Sequence, residues 1–293
     1  MHKYLRAIGF SKINKKSELK KILNEVLKNP DKKQYATVSD ESVAVEYTKE
    51  FAESLGIVVS GEYTDEVEFE YEYFYPYFLG SNISSIEDIE VEKRYDREEY
   101  AGICDDLKVG ITTIFYLQNR LDYLKFKNLY KKNIPSTSVN LSALSVEGSI
   151  MLPLSKNPDD EEKNEKKSKN RIEKMKAAME GDEQAMEDLS IADIDTYSSI
   201  QRMILTEDVY SLVDTYFMPY GIEFDHYSVL GEICAVEKRK NKLTNEKLYI
   251  ITIKCNDLVF DVCINAKDLV GEPEVNRRFK GIVWMQGHIN FGK

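Results

Sequence analysis

The motif Tyr73-Phe74-Tyr75-Pro76-Tyr77 returns later in the chain as Tyr216-Phe217-Met218-Pro219-Tyr220. Two further anchors follow each copy in the same order. They are Val91-Glu92-Lys93-Arg94 and Cys104-Asp105-Asp106-Leu107 in the first half, and Val236-Glu237-Lys238-Arg239 and Cys255-Asn256-Asp257-Leu258 in the second. The spacings differ by a few residues, which insertions in loops allow at little cost. The pattern predicts an internal duplication.

The residues that follow the third anchor keep the same parity in both copies. Apolar residues occupy every second position, at Leu107, Val109 and Ile111 in the first copy and at Leu258, Phe260, Val262 and Ile264 in the second. This alternation predicts strands with one buried face.

We therefore expect an α+β protein of two related domains, each a mainly antiparallel β-meander sheet with helices on one face. The segment 156–170 is nearly all charged or polar, which is typical of a solvated linker. The expected organisation is an N-terminal repeat at 1–155, a linker at 156–170 and a C-terminal repeat at 171–293.

Several elements follow from periodicity. Apolar residues three or four positions apart predict a helix over 17–28, capped by Ser17 and ended by Pro30. Alternating Tyr and Glu predict a strand over 66–77 with an aromatic face and an acidic face. We also expect a helical turn within 47–55, a hairpin within 139–154 that turns at Glu147-Gly148, meander strands at 86–94, 99–105 and 107–117, and a second meander at 228–239, 247–255 and 258–265.

Composition limits the classes of function. The chain has 293 residues, 31% of them charged, and a net charge of −11, which argues against general nucleic-acid binding. The first six residues are not followed by an apolar run, and no run approaches the length of a membrane span. We expect a cytoplasmic protein with reduced cysteines and no membrane partner.

Motifs for cofactors and metals are missing from the sequence. The three histidines lie far apart and outside any cysteine pair, so no zinc site is expected. No two glycines stand two positions apart, which excludes the dinucleotide fingerprint. A dyad of Cys234 and His226 rests on residue type alone, and Asp106 and Asp257 are the candidate catalytic carboxylates because they stand in equivalent turns.

The leading hypothesis is a non-catalytic binding or scaffold protein with an inter-domain groove for a protein or small-molecule partner. The candidate binding residues are Tyr75, Tyr77, Glu92, Arg94, Tyr220, Glu237, Arg239 and Trp284. One alternative is a hydrolase that uses the turn carboxylates. A second is anion or nucleic-acid binding through residues 1–33, which hold ten Lys or Arg against three acids.

Four stretches carry a resemblance to a known family. They are His2 to Ser11, Asp193-Ile194-Asp195-Thr196-Tyr197, Tyr216 to Gly221, and Trp284-Met285-Gln286-Gly287. The chain resembles an uncharacterised domain-of-unknown-function family of about this length from low-GC Gram-positive bacteria. The resemblance implies a bacterial cytosolic protein and no assigned activity.

Overall fold

The chain folds into two β-sheets that pack around a shared core in a computed structural model. The structure describes residues 2–39, 42–64, 69–94, 99–106, 110–130, 136–153, 170, 173–178, 181–192 and 213–292. Strands outnumber helices among these residues, and ten of their thirteen strand pairs are antiparallel, which confirms the expected antiparallel sheets.

The first sheet is an antiparallel meander of four strands in sequence order. Its strands are β1 (Lys32–Thr37), β2 (Ser42–Ala52), β3 (Leu55–Thr64) and β4 (Glu70–Phe78). The helix α1 (Lys16–Lys28) covers one face with the predicted apolar stripe, of which Val26 is fully buried. The Glu18 carboxylate accepts from the backbone N–H of Asn14 and Lys15, so Glu18 rather than Ser17 caps this helix.

The second sheet contains ten strands from both halves of the chain. They are β5 (Ile89–Lys93), β6 (Tyr100–Cys104), β7 (Thr113–Leu117), β8 (Ser136–Met151), β9 (Tyr216–Pro219), β10 (His226–Lys240), β11 (Lys247–Cys255), β12 (Leu258–Asn265), β13 (Leu269–Val270) and β14 (Arg278–Phe291). Five of them close into a ring, because β14 pairs with both β10 and β8, and β8 pairs with β12. The helix α2 (Arg120–Tyr130) follows β7 and contacts β1 and β2.

Strand alternation gives four of the five ring strands, β8, β11, β12 and β14, apolar residues in two separate cores. Val283 and Met285 of β14 point into the ring core, whereas Trp284 points outward. The outward residues form a second core with the four-stranded sheet and the short 3-10 helix at Lys3–Leu5. Because both faces of the ring wall are apolar, the N-terminal segment and the first sheet are needed to cover it.

The residues 47–55 do not form the expected helical turn. They lie in β2, in β3 and in the turn between them, where Ser54 adopts a positive φ of 56°. Alternation failed as a signal here because successive β2 residues are buried on both faces: Val45 and Tyr47 on one, Ala44 and Glu46 on the other.

The expected hairpin within 139–154 is also wrong. The single strand β8 runs through Gly148, and β14 pairs with it along most of its length. A Cβ at Gly148 would lie 2.6 Å from the Phe279 ring, so the glycine serves close packing rather than a turn.

The strand β4 departs from the expected two-faced pattern at a bulge. Tyr73 pairs with Ser60 but Tyr71 pairs with Gly61, so Glu72 is the extra residue of the bulge. As a result Glu72 turns toward Arg120, 3.6 Å away, while Tyr71 is exposed.

The duplication and the domain boundaries stay predictions. Anchors two and three occupy matching places at the ends of β5 and β6 and of β10 and β11, but the Tyr73–Tyr77 and Tyr216–Tyr220 motifs lie in different sheets. Strands on both sides of the expected linker belong to one sheet. Nearly all of the expected linker lies outside the described residues.

Candidate functional site

Four exposed apolar side chains lie at the end of β9 and in the turn that joins it to β10. Residues 218–224, named here the apolar turn, are exposed throughout, and Ile222 and Phe224 have relative exposures of 93% and 74%. Met218 and Tyr220 are about half exposed. Gly221, with a φ of +74°, permits the reversal of the chain, and the backbone N–H of Tyr220 donates to the carbonyl of His226 at 2.9 Å.

The residue that follows the apolar turn is deeply buried. Asp225 is 1% exposed, and its carboxylate accepts hydrogen bonds from Trp284 Nε1 at 3.0 Å, Arg94 Nη2 at 2.6 Å and His226 Nδ1 at 2.9 Å. Its carbonyl accepts from the backbone N–H of Met285 at 2.8 Å. Asp225 therefore fastens the base of the apolar turn to β14 and to the end of β5.

Electrostatics keep Asp225 ionised. Burial alone would raise the pKa of this carboxyl, but the contacts with His226, Arg94 and Trp284 outweigh burial and hold the pKa below its ordinary value. Because an ionised carboxylate only accepts hydrogen bonds, His226 Nδ1 is the donor in this contact.

Aromatic rings pack around the indole of Trp284. The ring centroids of His2, Tyr4 and Tyr116 lie 4.8, 5.3 and 5.2 Å from it. Burial, followed by the positive chain terminus, lowers the pKa of His2 to about 4, so this imidazole is neutral at pH 7. Within the part of the chain that the structure describes, His2 Nδ1 and Tyr4 Oη are buried without a hydrogen-bond partner.

The structure joins four of the predicted binding residues. Arg94 and Trp284 meet at Asp225, and Tyr220 lies in the apolar turn above it. Tyr75 connects through Tyr116, at 4.7 Å between ring centroids, and donates its hydroxyl to the Gln118 carbonyl.

The other four binding candidates lie elsewhere. Tyr77 is buried in the second core, and Glu92 is exposed on β5. Glu237 and Arg239 form a two-bond ion pair at the end of β10, from which the Arg239 guanidinium also donates to the Glu53 carbonyl.

The candidate catalytic carboxylates occupy different surroundings. Asp106 is 3% exposed and accepts from the Ser85 hydroxyl at 2.6 Å. Asp257 is exposed at the tip of the β11–β12 hairpin and lies 2.7 Å from Lys254 Nζ. A carboxylate pair that acts as acid and base needs one shared cleft, and these environments give it no support.

The dyad of Cys234 and His226 is wrong. Both residues belong to β10, eight positions apart, which separates them by about 26 Å along an extended strand. His226 instead bonds to its neighbour Asp225, and Cys234 is exposed.

Sequence reasoning missed Asp225, Ile222 and Phe224. The alternation of Met218, Tyr220, Ile222 and Phe224 was a local signal, since it continues past Pro219 and Gly221 into a turn. The partners of Asp225 carry no such signal, because Arg94 is 131 positions away.

The described residues contain neither a cluster of metal ligands nor a helix that could span a membrane. Among them, no group of three or more His, Cys, Asp or Glu side chains is arranged to hold a metal ion. In the same residues, no helix is both long enough and apolar enough to cross a bilayer.

The fold and the site define a mainly antiparallel two-sheet protein with a buried aspartate beneath an exposed apolar turn. The family model described as "Domain of unknown function, E. rectale Gene description (DUF3881)" matches residues 5–287. The chain belongs to this family, which confirms the resemblance to a domain of unknown function from a low-GC Gram-positive bacterium. No curated protein and no solved structure matches it.

Proposed function

We propose that the protein is a non-catalytic binding protein and that the apolar turn inserts into a groove on a protein partner. The observation that supports this most is the exposure of Met218, Tyr220, Ile222 and Phe224 within seven residues. Scattered exposed apolar residues are ordinary, whereas a contiguous group marks an interaction surface. Large apolar and aromatic anchors contribute most of the energy of such contacts.

Rigidity at the base of the turn supports the same proposal. A partner gains more affinity from a surface that is already ordered, since less conformational entropy is lost on binding. The carboxylate and the carbonyl of Asp225 together accept four hydrogen bonds at the point where the turn enters β10. The site thus combines exposed contact groups with a buried anchor.

Shape and charge specify the partner. The apolar turn is a narrow projection, so its complement is a groove rather than a flat surface. Glu223 is exposed within the turn, and the chain carries a net charge of −11. We therefore expect the groove to be apolar at its floor and basic at its rim.

Co-purification from the native bacterium tests the proposal. The tagged full chain is compared with the double variant Ile222→Ser, Phe224→Ser and with the control Leu243→Ser, Val275→Ser, which removes two half-exposed apolar side chains from other loops. At least one protein is expected in stoichiometric amounts with the wild type and the control. Loss of two anchors reduces its recovery at least about tenfold.

The control separates a specific site from general stickiness. Both double variants should unfold at the wild-type midpoint, because all four side chains are exposed. Identical sets of co-purified proteins from the wild type and from the apolar-turn variant would reject the proposed function.

We also propose that the protein is cytosolic and that its fold arose by an internal duplication. A cytosolic location fits the three buried, unpaired cysteines among the described residues, Cys104, Cys255 and Cys263. An ancestral duplication is supported by the common order of the β5–β6–β7 and β10–β11–β12 meanders.

A hydrolase that uses the turn carboxylates remains the alternative function. Anion or nucleic-acid binding through residues 1–33 remains the second alternative. The hydrolase would need Asp106 and Asp257 to act together, so activity screens of the Asp106→Asn variant against the wild type would decide it.

A further inference from the structure

An open cavity of about 380 Å³ lies among elements that do not take part in the apolar turn. The turn before β11 forms one wall with Thr244 to Lys247, and the end of β12 with the 3-10 helix at Ala266–Asp268 forms another. Lys12, from the basic N-terminal segment, completes the lining. The cavity is large enough for a small ligand.

Its lining carries excess positive charge. Lys267 is balanced by Glu246, whose Oε1 lies 2.7 Å from Lys267 Nζ. Lys12 and Lys247 also line the cavity, and in the described part of the chain neither has a carboxylate within salt-bridge distance. Among the described residues, Lys12 and Lys247 therefore add two positive charges to the lining that no salt bridge offsets.

The carboxylate of Glu246 is held by the frame of the cavity. It accepts from the Ser11 hydroxyl at 2.6 Å and from Asn265 Nδ2 at 2.7 Å, in addition to Lys267. Burial opposes ionisation, but the bonds from Lys267, Ser11 and Asn265 lower the pKa of Glu246 to about 2. Glu246 is thus committed to its neighbours and cancels only the charge of Lys267.

The turn before β11, which carries Glu246 and Lys247, is also fixed by hydrogen bonds. Asn241 Oδ1 accepts from the backbone N–H groups of Leu243 and Thr244, both at 2.9 Å. The Thr244 hydroxyl donates to the Gly9 carbonyl at 2.6 Å. The last of these bonds joins the turn that carries Lys247 to the N-terminal segment that carries Lys12.

We propose that this cavity binds a small molecule through a phosphate or diphosphate group, with Lys12 and Lys247 as the anion-binding residues. Lysine ammonium groups bind phosphates as compact point charges, so two of them suit a multiply charged phosphate group. The proposal is independent of the apolar turn, so either can fail without the other.

Isothermal titration of the full chain with inorganic pyrophosphate, at low and at moderate salt, tests the site. We expect saturable binding at one site per chain. The double variant Lys12→Ala, Lys247→Ala should bind at least about tenfold more weakly, since each nearby charge pair contributes on the order of a few-fold to tenfold in water.

The matched control is Lys20→Ala, Lys21→Ala. These lysines are exposed on α1, so the control removes the same charge from the same basic segment but leaves the cavity intact. Its affinity should stay within about threefold of the wild type. All four lysines are exposed, so each variant is expected to keep the wild-type unfolding midpoint.

Three results would overturn the inference. Equal weakening by both double variants would indicate general attraction rather than a site. Absence of saturable binding by pyrophosphate and by phosphate at millimolar concentration would exclude the ligand class. Citrate binding as tightly as pyrophosphate would show that the cavity selects charge and not phosphate.

Discussion

Replacing Asp225 by Asn should lower the free energy of unfolding more than any other isosteric substitution at the site. The substitution keeps the size of the side chain but removes its charge. Asn keeps one acceptor oxygen, but its amide nitrogen donates and cannot accept. The variant therefore loses either the bonds from Arg94 and Trp284, which share Oδ2, or the bond from His226 to Oδ1. The Arg94 guanidinium, which is 20% exposed, then loses its nearest carboxylate.

The magnitude follows from burial. Removing one partner of a buried ion pair costs about 3–5 kcal/mol, because the other charge stays uncompensated. The partial exposure of Arg94 and its second neighbour Glu99, at 3.8 Å, reduce this cost. We expect a loss of about 2–3 kcal/mol in the free energy of unfolding, or roughly 4–10 °C in Tm.

The assay can use the site as its own reporter. Trp284 is the single tryptophan, and its indole N–H contacts Asp225. Guanidinium unfolding followed by tryptophan fluorescence therefore reports on this site. Asp257→Asn, which removes an exposed carboxylate beside Lys254, should change the free energy by less than about 0.5 kcal/mol.

The pH dependence of the free energy of unfolding tests the sign of the Asp225 contribution. The pKa of Asp225 is lowered in the folded protein, so its stabilising contribution is present above the ordinary carboxyl pKa and is lost as the pH falls through the folded value. The difference between wild type and Asp225→Asn should shrink below about pH 4. A variant within 0.5 kcal/mol of the wild type at pH 7, or a difference that grows in acid, would refute the reasoning.

Three further predictions concern the cores. Burial, opposed by Arg120, raises the pKa of Glu46 to about 7, so its contribution to stability is full below its unfolded pKa and declines as the pH rises toward and through 7. Glu46→Gln should remove about 1–3 kcal/mol of this decline between pH 5 and pH 8, measured by denaturant titration. Equal slopes of stability against pH in the wild type and the variant would contradict this prediction. Gly287→Ala places a Cβ 2.3 Å from the buried Phe115 ring and should cost about 1–3 kcal/mol by calorimetry, whereas a wild-type midpoint would show that the ring can move. Tyr75→Phe removes the buried bond to the Gln118 carbonyl at 3.0 Å and should cost about 1–2 kcal/mol, and an unchanged midpoint would mean that water replaces the hydroxyl.

Local patterns predicted the second meander well. The strands β10, β11 and β12 begin and end within two residues of the expected positions, because one apolar face alternates with a more polar one. The residues Asn256 and Asp257 adopt positive φ values of 47° and 68°, as expected of a tight hairpin.

Features that depend on contacts between residues far apart in the chain could not be predicted from local sequence patterns. The strand β2 was missed because sheet and helix bury both of its faces. Gly148 suggested a turn, whereas its role is to make room for Phe279, 131 positions later. The site follows the same rule: Arg94 and Trp284 were named separately, but the residue that joins them was not.

The most direct test of the binding surface is photo-crosslinking in the native bacterium. A benzophenone amino acid replaces Ile222 in the apolar turn or, as the control, Leu243 in another loop. The account predicts a discrete adduct from position 222 that Phe224→Ser suppresses, and no such adduct from position 243. The same adducts from both positions, or none from position 222, would contradict the claim that the apolar turn binds a partner.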